Sequence, residues 1–209
     1  MSEKREHILS IAEKLFAEHG FEGTSVRMLA KEAGVNVAMV SYYFGSKEKL
    51  FASLIEEQSS HLRQRMQTLN ENRKLNAWQK MELLIDAFVD RLSTKKNFQR
   101  IIHRELSLNK RNDLQQTISN SLLKNAEHFK QLIEEGKKNN MFRRDAEPHF
   151  VIATLIGSLH MMHHNPVISH RQLTGIKNMQ PNSPEQVAAQ KNYLKQLLNA
   201  YLLSKPKKK

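Results

Sequence analysis

The stretch from Thr24 to Lys47, TSVRMLAKEAGVNVAMVSYYFGSK, constrains the fold of this chain more than any other. It contains two short helical patterns separated by a turn of a few residues. Gly34 suits the end of the first helix because glycine tolerates the left-handed backbone that follows a helix. Asn36 is a favourable N-cap for the second helix. This layout predicts a helix-turn-helix, with helices over 26–33 and 37–43, whose second helix would enter a DNA groove.

An amphipathic helix precedes this motif. Its apolar residues follow the spacing of one helix face: Ile8, Ile11, Ala12, Leu15 and Phe16. They predict a helix over 4–19 that ends at Gly20, with Phe21 in the same small core. The three helices form a DNA-binding domain at residues 1–46, which we call the head. So small a unit needs support from other helices, and we expect it from a connecting helix at 47–70.

The rest of the chain, a second domain at 47–209, also shows helical periodicity without strand alternation. The predicted helices cover 77–92, 98–108, 114–139, a segment opened by Pro148, and a segment opened by Ser183 and Pro184. The run 150–162 is apolar on nearly every side, so we expect it to be buried on several sides. Residues 109–113 and 165–183 are polar or rich in turn residues and predict connections. The fold is predicted to be all-α, with a solvated basic tail at 205–209.

The composition narrows the class of protein. The chain has no cysteine, so it has no disulfide and no thiolate metal site, as a reducing cytosol favours. The N-terminus has no signal-peptide stretch, and the apolar run 150–162 is shorter than the ~20 residues of a membrane span. We therefore expect a soluble, cytoplasmic protein without membrane contact.

The net charge of +12 is distributed unevenly. Residues 1–60 carry seven Lys and Arg against nine Asp and Glu, a net charge of −2, whereas residues 61–209 carry a net charge of +14. Phosphate contacts of the head must therefore come from a few placed groups. The excess of basic residues in 61–209 is consistent with three roles: solubility, long-range attraction to DNA, or attraction of an acidic ligand.

The helix-turn-helix region resembles the TetR family of bacterial transcriptional repressors. Three segments carry the resemblance: Thr24-Ser25-Val26-Arg27, Ala30-Lys31-Glu32-Ala33-Gly34-Val35, and Ser41-Tyr42-Tyr43-Phe44-Gly45-Ser46-Lys47-Glu48-Lys49-Leu50-Phe51. With the upstream helix, it extends to about residue 60. It implies about nine helices, a ligand-binding cavity in the second domain, and a homodimer through helices at about 146–164 and 184–203. Met28 departs from the acidic residue common in the family at this position.

A helical wheel assigns two faces to the second helix of the motif, which we call the reader helix. Val40 and Phe44 face the core of the head, with Val37 beside them and Tyr43 on one flank. The DNA-facing side consists of four residues: Ala38, Met39, Ser41 and Tyr42. Val37, in the first turn, also belongs to the predicted contact set.

The resemblance assigns the phosphate contacts. Tyr42 and Tyr43 would bond phosphates, and Lys47 would hold one at the next helix N-terminus, where the helix dipole attracts anions. The first helix of the motif would grip the DNA backbone through Thr24, Ser25 and Arg27.

Base recognition has few hydrogen-bonding groups. Residues 36–43 contain no Arg, Gln or Lys, so the common bidentate guanine contact is unavailable from this segment. Asn36 and Ser41 are the possible base readers, and Ala38 and Met39 suit thymine methyl groups. Specificity should therefore depend on methyl contacts, DNA shape and half-site spacing.

Residues of the second domain suggest an effector pocket. The cations around Arg100–Glu105 indicate either a solvated face with an Arg–Glu pair or recognition of an anionic effector. The aromatic and methionine side chains suggest either an adaptable cavity or plain core. The predicted ligand-binding set is Trp78, Phe88, Phe98, His103, Arg104, Phe150, His160 and Met161.

Metal and catalytic sites are the remaining alternatives. His160 and His164 share a helix face, but zinc usually needs a third protein ligand, which His149 or His170 would have to supply. Phosphate loops, nucleophile elbows and zincin motifs are missing from the sequence. We therefore predict neither metal, cofactor nor enzyme activity.

Together these features predict a DNA-binding regulator, a repressor released from a palindromic double-stranded operator by a small molecule. Two alternatives stay open: a nonspecific architectural DNA-binding protein, and a metal-sensing helical protein that uses His160 and His164.

Overall fold

The computed structural model describes residues 3–108, 111–164 and 183–203. Within these ranges every regular element is a helix, so the predicted all-α fold is confirmed. The described helices are α1 (Glu3–His19), α2 (Val26–Glu32), α3 (Val37–Phe44), α4 (Lys47–Glu71), α5 (Ala77–Thr94), α6 (Lys96–Leu108), α7 (Asn112–Lys138), α8 (Pro148–His164) and α9 (Pro184–Leu202). None of them is long and apolar enough to cross a membrane.

The helix ends follow the capping residues in the sequence. The Asn36 side chain accepts a hydrogen bond from the Met39 N–H at 2.7 Å and caps α3, and Ser183 caps α9 through the Gln186 N–H. Gly34, after α2, has a φ of 64°, a backbone conformation that glycine adopts without strain. Local chemistry therefore defines the limits of the motif helices, as predicted.

The chain divides into two compact units. The first unit contains residues 1–61 and 95–124, and the second contains residues 62–94 and 125–209. The division falls within α4 and within α7, so each of these helices contributes to both units. The predicted boundary at residue 46 stays a prediction.

The core of the first unit extends beyond the three head helices. The expected support from α4 is present, with Leu50, Phe51, Leu54 and Ile55 buried. The same core also contains Phe98 and Ile101 of α6, and Leu114 and Ile118 of α7. The head is therefore completed by helices that lie far from it in the sequence.

The second unit has its own core, built from α4, α5 and α7–α9. In α8, Val151, Leu155 and Leu159 are buried at four-residue spacing. However, Phe150, Ile156 and Met161 on the same helix are 58%, 44% and 48% exposed. The expectation that this run is buried on several sides is therefore wrong within the single chain, because only one face of α8 packs on the unit.

Some predictions fall outside the described residues. The basic tail at 205–209 and the connection at 165–182 are among them, as are residues 109 and 110. The side chains of His160 and His164 also lie outside the described part.

Candidate nucleic-acid interface

The reader helix α3 is fixed by two buried side chains, as the wheel predicted. Val40 and Phe44 lie in the core of the first unit. Tyr42, between them in sequence, is 83% exposed. Because buried residues four apart set the rotation of the helix, the opposite face is presented to solvent.

The exposed side chains of α3 follow the predicted solvent face of the helix, with one correction. Ala38 and Ser41 are exposed, and Met39 is half-buried. Val37 was expected beside the core, but it is 43% exposed and does not pack in that core. It is the first residue of α3 and lies beyond the buried stripe, so its methyl groups join the solvent face.

The two predicted phosphate-binding tyrosines have different environments. Tyr42 and Tyr43 contact each other edge to face, with ring centroids 5.3 Å apart. Tyr43 is half-buried and packs against the core of the first unit, whereas Tyr42 is largely exposed. Tyr42 is therefore the more accessible of the two rings.

Two residues at the start of the motif remain accessible to DNA. The Ser25 hydroxyl oxygen accepts a hydrogen bond from the Met28 N–H at 3.1 Å, which caps α2. A serine hydroxyl can still donate its own proton while it accepts. Arg27, the second residue of α2, is exposed. Both side chains can therefore donate to phosphate.

Thr24 requires a correction. Its side chain is fully buried, and its hydroxyl lies 2.8 Å from the Gly20 carbonyl oxygen and 3.2 Å from that of Leu15. The hydroxyl therefore fastens the end of α1 to the start of the motif, and its proton is not available to a phosphate.

Lys47 lies at the first position of α4, but its ammonium is directed at the head. It donates hydrogen bonds to the carbonyl oxygens of Phe21 at 2.9 Å and Thr24 at 3.0 Å. It also lies 4.2 Å from the centroid of the Phe21 ring. An ammonium has three donors, so one remains for a phosphate.

The N-terminus of α4 holds an internal anion. Glu48 accepts hydrogen bonds from its own backbone N–H and from the Ser46 hydroxyl, and these contacts lower the pKa of its carboxyl. Helix N-termini favour negative charge. A phosphate at this position would therefore have to compete with the Glu48 carboxylate.

The predicted effector-binding residues are not brought together. Trp78 and Phe88 pack on the core of the second unit, and Phe88 contacts Phe129 edge to face. Phe98 is buried in the core of the first unit. For these aromatics the structure agrees with plain core rather than a shared pocket.

The remaining effector-binding predictions lie at the surface or at the head. His103 is exposed, and Arg104 donates to the Glu18 carbonyl oxygen at 3.3 Å. Phe150 and Met161 are exposed on α8, and the His160 side chain is outside the described part. Helical periodicity identifies which residues share a face, but it does not tell which helices pair, so the predicted set is dispersed.

The described residues of the second unit line two open grooves in which charged and amide side chains predominate. One, of about 370 Å³, is lined mainly by charged residues of α7, and the other, of about 530 Å³, lies between the end of α4 and α7. Neither contains a predicted effector-binding residue. Among the described residues, no three His, Asp or Glu side chains are grouped to hold a metal ion.

Two buried charges were missed in the sequence. Lys80 is 2% exposed and contacts both carboxylate oxygens of Glu135 at 2.8 Å. Glu105 is 9% exposed and accepts from the Phe21 N–H. Lys80 lies three residues after Ala77 and next to Met81 on the apolar stripe of α5, so its position in the periodicity was a usable signal. The partner of each charge could not be read from the sequence.

Comparisons with known proteins agree with this architecture. Residues 8–54 match the family described as "Bacterial regulatory proteins, tetR family". Residues 51–183 match the family described as "YsiA-like protein, C-terminal region". The two matches together cover the helix-turn-helix and most of the remaining chain.

Two curated relatives are similar to this chain over different lengths. The probable HTH-type transcriptional regulator YttP of Bacillus subtilis is 32% identical over 183 residues, which cover 86% of this chain and 84% of YttP. The HTH-type transcriptional repressor NicS of Pseudomonas putida is 46% identical over 52 residues, which cover 25% of this chain and 24% of NicS.

Among solved structures, the fatty acid degradation regulator FadR of Bacillus halodurans has a TM-score of 0.73 at 21% identity, covering 100% of this chain and 99% of FadR. FadR of Bacillus subtilis in complex with stearoyl-CoA has a TM-score of 0.70 at 20% identity, covering 92% and 96% of the two chains. These two likenesses show the shared fold. The family matches and the similarity to YttP along most of both chains show that the protein belongs to the TetR family of bacterial transcriptional regulators.

Proposed function

We propose that this regulator is a repressor that binds a palindromic operator as a homodimer and is released by a small-molecule effector. The observation that carries the proposal is the face of α3, where the exposed Tyr42 stands beside exposed apolar groups on a helix held by Val40 and Phe44. Repressors occur among its relatives. Those relatives are regulators rather than enzymes, which supports the expectation of no catalytic activity.

The exposed apolar residues of α8 and α9 support the homodimer. Phe150, Ile156 and Met161 of α8 are exposed, as are Tyr193 and Leu197 of α9. Apolar side chains concentrated on two helices of one unit indicate a protein-binding surface. A second copy would cover this surface by two-fold symmetry and present two reader helices to a palindrome.

The proposed release depends on α4, which runs from the head into the second unit. An effector bound in the second domain would shift α4 and change the separation of the two reader helices. The readers would then no longer match half-sites about 34–36 Å apart, and DNA would dissociate. The apolar side chains on the solvent face of α3 support base recognition through thymine methyl groups and DNA shape.

Binding-site selection with genomic DNA tests this function. We expect enrichment of one palindromic sequence, bound at least about 10³-fold more tightly than random DNA at physiological salt. Equal binding to both would contradict the proposal and favour an architectural protein. Stearoyl-CoA is the first effector probe because a structural neighbour is complexed with it. Zinc after chelation tests the metal-sensing alternative, in which the metal alone would change operator affinity.

The homodimer has a sharper test in Ile156→Glu. A carboxylate in the centre of the exposed apolar face would have to be desolvated on association, so we expect a monomer by sedimentation and loss of operator binding by about 100-fold or more. Leu123→Glu is the matched control, because Leu123 is 65% exposed on α7, in the first unit. If Ile156→Glu stayed dimeric, another surface would mediate the dimer.

The reader face has its own test in Tyr42. Removal of the hydroxyl in Tyr42→Phe should weaken operator binding about fivefold per protomer, as expected for one hydrogen bond of ~1 kcal/mol in each half-site. Because the side chain is exposed, the melting temperature should not change. Fluorescence anisotropy with labelled operator measures the first quantity and circular dichroism the second. Unchanged affinity in Tyr42→Ala would remove Tyr42 from the interface.

A further inference from the structure

The turn between α1 and α2 is held by side chains of α6. The Glu105 carboxylate accepts a hydrogen bond from the Phe21 N–H at 3.2 Å. The neighbouring Arg104 donates to the carbonyl oxygen of Glu18, in the last turn of α1, at 3.3 Å. A cation at a helix C-terminus and an anion on a free N–H are both favourable. Two consecutive residues of α6 therefore bind both sides of this turn.

The same turn is bound from α4. Lys47 donates to the Phe21 carbonyl oxygen, so the N–H and the C=O of Phe21 are engaged by α6 and α4 respectively. The Phe21 ring lies between Phe16 and Phe51, with centroids 5.6 Å and 5.4 Å away. Phe21 is therefore the residue at which α6, α4 and the head meet.

The side chain of Arg104 lies close against the turn. Gly20 has a φ of 76°, and a Cβ at this position would lie 3.2 Å from Arg104 Cδ and Nη1. Phe98 and Ile101 place α6 in the same core as the head. Apolar packing and polar contacts therefore both join α6 to the turn.

A second, exposed connection joins the same segments. Arg111, just before α7, contacts Glu22 at 2.8 Å and its neighbour Asp113 at 2.7 Å. Exposed ion pairs contribute little to stability, whereas a buried N–H that loses its acceptor carries the full desolvation penalty. Glu105 is therefore the dominant polar contact between α6 and the turn.

We infer that Glu105 is a positioning residue for DNA binding, which fixes the head to α6 through the backbone of Phe21. The inference rests on the proposed function, because operator affinity is its readout. Glu105 lies outside the α3 face that meets DNA and acts by holding the turn from which α2 begins. It also gives the cationic segment of α6 a role at the head, in place of the predicted recognition of an anionic effector by Arg104.

Glu105→Ala and Glu105→Gln, in the full-length protein, test the inference. Alanine removes the acceptor, and we expect operator affinity to fall at least about tenfold and the Phe21 amide to exchange at least about tenfold faster. Glutamine keeps an acceptor oxygen without the charge, so affinity should return to within about threefold of wild type. A folded alanine variant with wild-type affinity and a protected Phe21 amide would overturn the inference.

Ile118→Val is the matched control for stability alone. Ile118 is fully buried in the same core but lies on α7. Its truncation to valine should lower the free energy of unfolding by about as much as the loss of the Glu105 hydrogen bond. Operator affinity of this control should be unchanged at a temperature where it is folded. An equal loss of affinity in the control would mean that Glu105 acts only through stability.

Two further experiments cover the cases in which Glu105→Ala does not fold or the wild type shows no operator preference. If the alanine variant does not fold, Glu105→Asp replaces it. This substitution withdraws the acceptor by one methylene group and should weaken operator binding about threefold to tenfold. Wild-type operator affinity in Glu105→Asp would overturn the inference. If the wild type itself shows no operator preference, the proposed function fails. Faster exchange of Phe21 in the alanine variant, and not in glutamine, would then still support the positioning contact.

Discussion

Lys47 and Lys80 use the same chemistry close to the two ends of α4. At the first residue of the helix, Lys47 donates to the carbonyl oxygens of Phe21 and Thr24. Near the last turn, Lys80 donates to the carbonyl oxygen of Asn70 at 3.0 Å. Each ammonium therefore donates hydrogen bonds to backbone carbonyl oxygens of its own unit.

The two lysines differ in how their charge is neutralised. Lys80 is almost fully buried, and the Glu135 carboxylate binds it through both oxygens. Lys47 is half-buried and, within the described residues, forms no ion pair with a carboxylate. A buried charge must be compensated inside the protein, whereas an ammonium near the surface that lacks a direct ion pair can also contact a ligand. Lys80 is therefore structural, and for Lys47 a phosphate contact stays a prediction.

The largest effect is expected from Lys80→Met. The substitution leaves Glu135 and the Asn70 carbonyl without their donor and should lower the free energy of unfolding by about 3 kcal/mol, the lower end for a broken buried pair because Glu135 is partly exposed. Denaturant unfolding measures the loss. Lys74→Met, at an exposed lysine in the preceding loop, is the control. A loss below about 0.5 kcal/mol would place Lys80 in the class of surface ion pairs.

Lys47→Met should have a smaller effect on stability and a distinct effect on DNA binding. If the Lys47 ammonium contacts a phosphate, its removal should weaken operator binding and decrease the slope of log K against log salt by about 1 per protomer. Lys47→Arg, which keeps the charge, should preserve the slope. Weaker binding with an unchanged slope would instead mean that Lys47 acts only by holding the Phe21 turn.

The exposed Arg111 network should have the smallest effect. Hydrogen bonding to Arg111 holds the pKa of the Asp113 carboxyl below its ordinary value of 3.8. Because the pKa is lower in the folded than in the unfolded protein, the ionised Asp113 carboxylate stabilises the fold at pH values above the unfolded pKa. This contribution is lost as the pH falls below about 3.8 and through the folded pKa. An NMR titration of Asp113 should therefore show a low midpoint that rises to the ordinary range in Arg111→Met. The same midpoint in both proteins would mean that the ion pair is not populated in solution.

Much of the fold could be predicted because its signals are local. The described helices begin and end within two residues of the predicted positions for most elements, since caps and glycines act over a few residues. The inward face of α3 was predicted correctly for Val40 and Phe44. Val37 was misplaced because the wheel does not show where the core ends.

The packing partners of the aromatic side chains could not be predicted for a different reason. Phe98, Phe88 and Phe150 each lie at helical spacing from apolar neighbours, yet one is buried in the first unit, one packs in the second and one is exposed. The sequence pattern distinguishes apolar faces from polar ones, but it does not assign partners to them.

The helices, their caps, the helix-turn-helix and the near-neutral charge of the head follow from the sequence, because they depend on residues a few positions apart or on composition. The three-dimensional packing was needed to show that α6 and α7 complete the core of the first unit, that Thr24 and Lys47 bond carbonyl groups, and that Glu105 holds Phe21. Glu105 and Phe21, for example, are 84 positions apart, and the packing of whole helices brings such residues together. The DNA-reading stretch was therefore visible in the sequence, whereas the contacts that position it were not.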